Sequence, residues 1–440
     1  MGSKQAKRIT VAEAAALVRS GDRIDYGLCL GIPDLFDRAL AARAAELRGV
    51  RVRGGVATHP IHVAEVDPIG EHFLYESWHF SAYERKLHDA QRCHYIPMNF
   101  GELPDYYRRF VDPIDVVCLK TCPMDEHGYF NFGVAGAAHK AVTERARVLI
   151  VETSKAMPYV YGCEESVHAS EVDFVIEGDD APLAELQNPK PTEIDRKVAA
   201  LIAAEVEDGA CLQIGIGGMP NAVCAYLKET GVRDLGIHTE MFVDGMVDLI
   251  EAGLVTGARK RLDRFQSVFT FALGTQRQYA FIHRNPRIAS KPVDYTNLPQ
   301  NIMQNDKVFS INNTTQIDLQ GQAASESSGS RHLTGTGGQL QFVRGAYASA
   351  GGKSFICLSS TYDKKGARQS RIVSSLTPGN IVTTPRTDVM YVVTEHGLAN
   401  LKGKSVAERA KGLIGLAHPD FREALEREAR ENHLLPKGFF

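Results

Sequence analysis

Glu240 is the residue whose type and position best suit covalent chemistry. It follows the apolar run Leu235–Gly–Ile–His–Thr239 and precedes Met241 and Phe242. A carboxylate is a poor nucleophile in water, and partial burial raises its reactivity toward a thioester carbonyl. The pattern therefore predicts a strand that ends at a reactive carboxylate. The alternative is the commoner fate of a single glutamate, a salt bridge or a helix cap.

A glycine-rich turn, Gly215–Ile–Gly–Gly–Met–Pro220, precedes this carboxylate along the chain. Gly217 and Gly218 lack a Cβ, so their amides can approach a ligand oxygen closely. We predict a helix that begins at Pro220 and adds its positive end, which gives an oxyanion hole or a phosphate cradle. The dinucleotide pattern Gly–x–Gly–x–x–Gly is not completed here, which disfavours NAD. A plain strand-to-helix turn remains the alternative.

A second glycine-rich turn lies at Gly335–Thr–Gly–Gly–Gln339 and continues into an amphipathic stretch through Ala346. Backbone groups of such a turn can bind the amides of an extended ligand in a narrow channel. A flexible surface turn is the alternative interpretation.

Metal sites and other nucleophiles have weaker support. His59, His62 and Glu65 have a metal-like spacing, but a proline between the histidines breaks a shared helical face. Cys118 and Cys122 are too far apart for a zinc or redox pair, so the cysteines are expected to be buried thiols in a reducing cytoplasm. The sequence contains no Gly–x–Ser–x–Gly elbow and no Walker-type phosphate loop.

The elements that must position these groups occur twice. In each half a helix ends at a glycine, and a short strand, a glycine turn and a second helix follow. Residues 21–27 match 209–215 in spacing, and 33–40 match 220–227. We therefore predict an α/β fold with two similar domains of common ancestry and mostly parallel sheets.

The domain boundary is predicted where Gln187–Asn–Pro–Lys–Pro191 interrupts the helical periodicity. This gives an N-terminal domain of residues 1–185, a linker of 186–192 and a C-terminal domain of 193–440. Short β-branched runs predict mostly buried strands at Val116–Leu119, Val148–Glu152, Phe174–Glu177, Val308–Ile311 and Met390–Val393. Ser405 to Glu431 is predicted to be helical, with a break at His418–Pro419.

Composition limits the classes of function. The 440 residues include 44% hydrophobic and 23% charged residues, which are ordinary globular values. A net charge of −3 gives no electrostatic case for nucleic acid or an anionic membrane as a partner. No signal-peptide pattern and no apolar run of roughly 20 residues is present, so a cytoplasmic protein is expected.

Taken together, the motifs resemble the acetyl-CoA hydrolase/transferase family of class I CoA-transferases, in particular its 4-hydroxybutyrate and butyrate branch. The resemblance runs over nearly the whole chain. It is carried by residues 215–223, 235–241, 311–312, 318–322, 335–339, 344–346, 393–397 and 417–421, and in the first half by 123–129.

This resemblance implies a ping-pong transfer of CoA between short-chain carboxylic acids. The glutamate that matches Glu240 attacks an acyl-CoA and becomes a glutamyl-CoA thioester, with neither ATP nor metal and no other cofactor. The amides of Gly217, Gly218 and Met219 would stabilise the oxyanions. The residues expected to bind CoA are Gly215, Gly335, Gly337, Gly338, Gln339, Phe342, Gly345 and Ala346. Many relatives carry aspartate where this chain has Gln341, which puts a CoA contact at that position in doubt.

The acid is expected to bind to the first domain, at Phe80, Met98, Asn99 and Phe100, where aromatic and polar residues alternate after apparent strand ends. Acetate, butyrate, 4-hydroxybutyrate, succinate and itaconate all remain open as substrates. A dicarboxylate would need an extra cation, for which Arg85, Lys86, Arg108 and Arg109 are equal candidates. The family also suggests a homodimer or a larger homo-oligomer.

Two other functions remain open. An acyl-CoA hydrolase would use the same glutamate and differ only in admitting water to the acyl-enzyme. A ligand-sensing protein on a related scaffold is the alternative from outside the enzymes, although Glu240 between two glycine-rich turns argues against it.

Overall fold

The computed structural model describes residues 6–187 and 189–438. The chain forms two compact units, each built from discontinuous segments. The first unit comprises residues 6–187, Glu240–Asp244 and Ser267–Thr296, and the second comprises residues 189–239, Gly245–Gln266 and 297–438.

Eight strands form the main sheet of the first unit, and all of its strand pairs are parallel. The strand Ile114–Thr121 is buried along most of its length, as parallel strands covered on both faces are. In order across the sheet, the strands are Lys7–Arg8, Phe174–Glu177, Ala146–Thr153, Ile114–Thr121, Arg23–Asp25, Val50–Gly54, Phe73–Ser77 and His94–Tyr95.

Short helices connect these strands. Val11–Ala16 and Ala82–Asp89 begin at capping boxes, in which Thr10 and Ser81 accept from the third helical N–H. The α-helices of this unit are Val11–Ala16, Leu35–Ala41, His62–Val66, Ala82–Asp89, Leu103–Arg109, His139–Thr143 and Gln276–Ile282, and short 3₁₀ turns lie at Cys29–Gly31, Ala44–Glu46, Phe100–Glu102 and Gly133–Ala135. Small strand pairs are Tyr129–Asn131 with Ser166–His168, Met241–Phe242 with Phe271–Ala272, and Ser267–Phe269 with Ile288–Ser290.

The second unit has a six-stranded sheet, parallel except at one edge strand. Its strands in spatial order are Gly236–Ile237, Cys211–Ile214, Val308–Asn313, Lys353–Cys357, Tyr391–Thr394 and Gly397–Asn400. From Cys211–Ile214 the chain moves to one side and later returns to the other side at Val308–Asn313. A crevice forms at the carboxyl ends of two such strands, where open α/β sheets bind ligands.

The α-helices of the second unit are Glu193–Ala203, Gly218–Thr230, Pro299–Ile302, Gln339–Ala348, Val406–Leu416 and Pro419–Glu431, while Asp244–Glu251 and Val293–Asn297 run across the chain boundaries between the units. Its smaller strands are Gln316–Asp318, Ala323–Ala324 and Ile372–Val373 in one sheet, Ser327–Ser328 with Arg331–His332, and Thr361–Lys364 with Ala367–Ser370. His418–Pro419 interrupts the C-terminal helical stretch, as predicted, because Pro419 begins a new helix capped by His418.

The repeated helix–strand–turn–helix pattern is present in both units. In the first, the strand Arg23–Asp25 pairs with the next strand, Val50–Gly54, on one side and with Ile114–Thr121 on the other. In the second, Cys211–Ile214 pairs in the same way with Gly236–Ile237 and Val308–Asn313. The predicted α/β fold with mostly parallel sheets is confirmed.

The compact units differ in extent from the domains predicted along the sequence. Glu240–Asp244 and Ser267–Thr296 belong to the first unit, although they lie within the predicted C-terminal domain. Between Glu177 and Glu193 the described residues form neither helix nor strand, in keeping with the extended connector expected there. The evolutionary domain boundaries themselves stay a prediction.

The cysteines differ from expectation at one position. Cys163 is exposed, whereas the other seven are buried, and no disulfide joins any of them within the described residues. Among residues 6–187 and 189–438, no cluster of three or more histidine, cysteine, aspartate or glutamate side chains could bind a metal ion. No helix in those same ranges has the length and apolar character to span a bilayer.

Candidate active site

Glu240 lies between two short strands, Gly236–Ile237 before it and Met241–Phe242 after it. The residue is partly buried. Its carbonyl oxygen accepts hydrogen bonds from the N–H groups of Thr270 at 3.0 Å and Phe271 at 3.2 Å. Because these two bonds fix the main chain, the direction in which the glutamate side chain leaves it is set by the fold.

The chain just after Glu240 is fixed by polar side chains that the sequence analysis missed. Gln278 donates through Nε2 to the carbonyl oxygen of Phe242 at 2.6 Å. The buried carboxylate of Asp244 accepts from the hydroxyl of Thr275 at 2.6 Å and from its N–H at 3.2 Å. The partners are 36 and 31 residues apart along the chain, so no local pattern identifies them.

The chain before Glu240 is fixed by a buried lysine of the second unit. Lys260 donates through Nζ to the carbonyl oxygens of Ile237 at 2.9 Å and Gln266 at 2.7 Å. A Cβ at Gly236 would lie 2.6 Å from Lys260 Cγ, so this strand position requires glycine for the lysine to pass. His238 continues the pairing, since its N–H donates to the carbonyl oxygen of Leu212 at 3.1 Å.

The glycine turn at the carboxyl end of the strand Cys211–Ile214 has the geometry of an anion-binding turn. Gly217 has φ +122° and ψ −179°, a conformation that is essentially restricted to glycine. The helix begins at Gly218, two residues before the predicted start, and Pro220 lies in its first turn. In the part of the chain that the structure describes, the N–H groups of Gly217, Gly218 and Met219 have no acceptor.

The aromatic acid-binding candidates lie in two places in the first unit. Phe100 packs edge-on against Phe271, with ring centroids 6.0 Å apart, and Phe271 is one of the residues that bind the Glu240 carbonyl. Phe80 packs instead in the apolar core, against His88 at 4.9 Å and Tyr95 at 5.5 Å. Phe100 therefore contacts a residue that is hydrogen-bonded to Glu240.

The two remaining candidates flank Phe100. Met98 is buried, and Asn99 donates through Nδ2 to Glu102 Oε1 at 3.1 Å. That bond lies within the 3₁₀ turn Phe100–Glu102 and its cap, so it stabilises the turn that presents the phenyl ring.

Buried carboxylates order the loops at the carboxyl edge of the first sheet. Glu84 accepts from the N–H of Ala57 at 2.9 Å and from the hydroxyls of Tyr75 and Ser77 at 2.9 and 2.8 Å, and burial raises its pKa. Asp37 accepts from the N–H of His62 at 2.6 Å, and burial raises its pKa to about 7. Glu84 joins the loop at Ala57 to its own helix, and Asp37 joins its own helix to the start of the helix His62–Val66, which restricts the motion of these segments.

The predicted CoA loop is shorter than the sequence suggested. Only residues 335–338 are irregular, because a helix runs from Gln339 to Ala348. Phe342 and Ala346 are buried in an apolar cluster, and a Cβ at Gly345 would lie 2.5 Å from Ile302. These three residues thus pack within the second unit, and Arg344 forms a two-pronged ion pair with Asp388.

The irregular part retains groups that can face a ligand. Gly337 has φ +58°, and Gln339 is partly exposed and donates through Nε2 to the Thr384 hydroxyl at 3.0 Å. Gly335 and Gly338 are buried beside it, as is Gln341, the position where many relatives carry aspartate.

The chain is similar to known proteins over nearly its whole length. The family sequence model for the acetyl-CoA hydrolase/transferase N-terminal domain matches residues 3–187. The family sequence model for the corresponding C-terminal domain matches residues 274–429. A butyryl-CoA:acetate CoA-transferase from Anaerostipes caccae is 46% identical over 97% of this chain and 96% of its own. The chain belongs to the acetyl-CoA hydrolase/transferase family.

Other members of the family have similar sequences and structures. The chain is 44% identical to a probable butyrate:acetyl-CoA coenzyme A-transferase from Syntrophomonas wolfei, over 99% of this chain and 97% of the relative. The crystal structure of RipA from Yersinia pestis superposes with a TM-score of 0.90 at 41% identity and covers 98% of each chain. The predicted family and enzyme class, a CoA-transferase, are confirmed.

The segment that contains the glycine turn and Glu240 lies between the two ranges matched by the family models. The full-length relatives extend across it, since they align with nearly the whole chain. The roles of individual residues in this segment stay predictions.

Proposed function

We propose that this protein transfers CoA between short-chain monocarboxylic acids, with Glu240 as the temporary covalent carrier. Membership in the acetyl-CoA hydrolase/transferase family supports the reaction class. The observation that carries the assignment of Glu240 is its position. The residue is partly buried, it lies directly before the strand Met241–Phe242, and its main-chain carbonyl accepts two backbone hydrogen bonds.

The chemistry proceeds in two balanced halves. A Glu240 oxygen attacks the thioester carbon, and the C–S bond breaks to give an acyl-glutamyl anhydride and CoA thiolate. The thiolate then attacks the glutamyl carbonyl carbon, and the C–O bond breaks to release the first acid as its carboxylate. A second carboxylate reverses both steps and leaves as the new acyl-CoA, so the thioester free energy is retained.

The glycine turn suits the negative charge that develops in this reaction. We propose the amides of Gly217, Gly218 and Met219 as donors to the oxyanion, because no acceptor in the described residues competes for them. Gly335, Gly337, Gly338 and Gln339 are proposed to line the path of the pantetheine arm. The three glycines form the irregular part of the second glycine-rich turn, and Gln339 is the first, partly exposed residue of the helix that follows.

A trapping experiment tests the carrier. Wild-type protein incubated with butyryl-CoA and then with borohydride should lose activity and carry a reduced glutamyl side chain at residue 240 on peptide mass analysis. Glu240→Ala should show neither transfer nor modification. Glu229→Gln changes an exposed glutamate on the helix Gly218–Thr230 and should behave as wild type. Full turnover by Glu240→Ala would refute the proposal.

The same preparation distinguishes transfer from hydrolysis. A transferase consumes acyl-CoA at a rate that depends on an added acid, whereas a hydrolase releases free CoA from acyl-CoA alone. The relatives from Anaerostipes caccae and Syntrophomonas wolfei are named as transferases, which favours the first outcome. A constant rate of CoA release without an acid would identify a hydrolase.

Butyrate and acetate are the proposed substrates. The two relatives are named for these acids, and Phe100 and Phe271 form an apolar edge in the first unit. Two of the cations considered for a second carboxylate are already paired: Arg108 with Glu144, Glu164 and Asp294, and Arg109 with Asp105. In a panel of acceptor acids, kcat/KM should be higher for butyrate and acetate than for succinate or itaconate.

Three further properties are part of the proposal. No cofactor is needed beyond CoA itself, so activity should persist after exhaustive dialysis against a chelator. A homodimer or larger homo-oligomer is expected, which sedimentation analysis would measure. A cytoplasmic location is expected and can be checked by cell fractionation.

A further inference from the structure

A cavity of about 280 Å³ lies at the carboxyl edge of the second sheet. Its walls come from the ends of the parallel strands Val308–Asn313 and Lys353–Cys357, from the segments that follow them, and from the helices Glu193–Ala203 and Gly218–Thr230. The helix Gly218–Thr230 follows the strand Cys211–Ile214. That strand and Val308–Asn313 flank the point where the strand order reverses, which is where open α/β sheets bind ligands.

Arg371 lines this cavity, and its hydrogen-bond partners are neutral groups. Its Nε donates to the Ser359 hydroxyl at 3.2 Å and its Nη1 to the Thr315 carbonyl oxygen at 3.0 Å. Its guanidinium lies 4.8 Å from the centre of the Tyr362 ring. Within residues 6–187 and 189–438, Arg371 forms no ion pair with a carboxylate.

Two other arginines of the same unit have acidic partners. Arg344 pairs with Asp388 at 2.7 Å, and Arg368 pairs with Asp420 at 3.2 Å. A guanidinium has five N–H donors, and protein acceptors occupy two of those of Arg371. Its neutral partners fix the side chain while leaving its charge without compensation, and this arrangement suits an anionic ligand.

The rest of the cavity wall carries a helix N-terminus and one carboxylate. Gly218 and Met219 contribute the first turn of a helix, whereas the Thr314 hydroxyl already donates to the Ala324 carbonyl oxygen at 2.8 Å. Asp195 is the acidic residue among the lining side chains, and it accepts from the N–H and hydroxyl of Thr192 at 2.8 Å each. Its charge is thus partly satisfied by the helix cap, whereas that of Arg371 is not.

We propose that Arg371 binds the carboxylate of the acid that receives or releases CoA, in the cavity that Gly218 and Met219 line. This inference rests on the proposed function, in which those two amides contact the reacting carbonyl. An incoming carboxylate must lie next to that carbonyl to attack it. The whole pantetheine arm separates the pyrophosphate of CoA from the thioester. A cavity of about 280 Å³ beside the Gly218 and Met219 amides therefore does not extend to the pyrophosphate.

Steady-state kinetics of Arg371→Gln test this assignment. Loss of a charge-assisted hydrogen bond corresponds to roughly a 10- to 100-fold weaker interaction, so KM for butyrate should rise by about that factor. The rate of glutamyl-CoA formation from acyl-CoA should change by less than about threefold. Arg371→Lys should recover part of the affinity for butyrate because it restores the charge.

Arg368→Gln is the matched control. It removes an exposed, ion-paired arginine from the neighbouring strand Ala367–Ser370 and should leave both KM values unchanged. A thermal unfolding midpoint for each variant shows whether the fold is retained. A structural role for Arg371 would lower that midpoint without a selective rise in the KM for acid.

Three results would overturn the inference. KM for butyrate could remain unchanged in Arg371→Gln. The rise could fall on acyl-CoA instead and disappear with acyl-pantetheine, which would show that the ligand is a phosphate. Arg371→Lys and Arg371→Gln could also be equally impaired for every substrate.

Direct binding separates this inference from the proposed function. Titration calorimetry of butyrate with wild type and Arg371→Gln needs no turnover. If wild type binds butyrate through Arg371 yet shows no transfer, the proposed function fails and the site stands. If transfer depends on Glu240 but butyrate binding is insensitive to residue 371, only the site fails.

Discussion

Gly217→Ala tests whether the glycine turn is chemical or merely a connection. The backbone at Gly217, with φ +122° and ψ −179°, is essentially closed to residues with a Cβ. The nearest atom to an added Cβ is Pro220 Cδ at 3.8 Å, so no tertiary clash opposes the methyl group. The whole effect is therefore backbone strain, roughly 1–3 kcal/mol.

The turn can respond to this strain in two ways. If the turn keeps its conformation, the free energy of unfolding falls by roughly 1–3 kcal/mol. If the turn relaxes, φ moves to negative values and the neighbouring amides rotate. An amide that donates to the oxyanion would then be misplaced, and kcat should fall by about 100-fold. We expect the second outcome, because the described residues supply no acceptor that would keep these amides in place.

Gly231→Ala is the control at the other end of the same helix. Gly231 has φ +77°, and nothing lies within 4 Å of an added Cβ. Its strain is similar, about 1–2 kcal/mol, but it is remote from the turn. Butyrate-dependent transfer and urea unfolding should be measured for both variants. If Gly217→Ala retains kcat within about threefold of wild type, the turn is a plain connection and the oxyanion assignment is wrong.

Three further perturbations follow. Lys260→Met leaves the carbonyls of Ile237 and Gln266 without their ammonium donor. The free energy of unfolding measured in urea should fall by about 2 kcal/mol, whereas Lys228→Met, at an exposed position, should leave it unchanged. Burial raises the pKa of Asp37 from 3.8 to about 7, so the protonated carboxyl stabilises the folded state. This contribution to the free energy of unfolding is full below pH 4 and is lost as the pH rises to 7, by at most about 4 kcal/mol. Asp37→Asn should flatten urea midpoints measured over that range, and an unchanged slope would contradict the assignment. Phe100→Leu should alter the kcat/KM ratio of butyrate to acetate by about threefold or more, whereas exposed Phe110→Leu should preserve it.

Much of the fold could be predicted because its signals are local. The strand runs at Phe174–Glu177 and Val308–Ile311 and the break at His418–Pro419 were recognised from β-branched content and proline alone. The repeated spacing around Gly21 and Gly209 correctly indicated two similar α/β units. Each of these features depends on residues close together in sequence, where side-chain periodicity and backbone restriction act directly.

For other residues the structure shows packing contacts, while their predicted roles at the site stay predictions. Phe80 was a candidate for the acid site but lies in the core against Tyr95. Phe342 and Gly345 were assigned to a CoA loop but lie on the buried face of a helix. A glycine or an aromatic residue can contact either a ligand or a neighbouring helix. The residue type alone therefore does not distinguish a binding role from a packing role.

Ordered motifs of adjacent residues identify the family from the sequence, and they predict Glu240 and the glycine turn as the site. Chain folding supplies what fixes these segments: Lys260 binds the strand before Glu240, Thr275 binds Asp244 after it, and Arg371 has neutral partners among the described residues. These contacts join residues brought together by chain folding. Their energies depend on burial and distance, which no spacing in the sequence specifies.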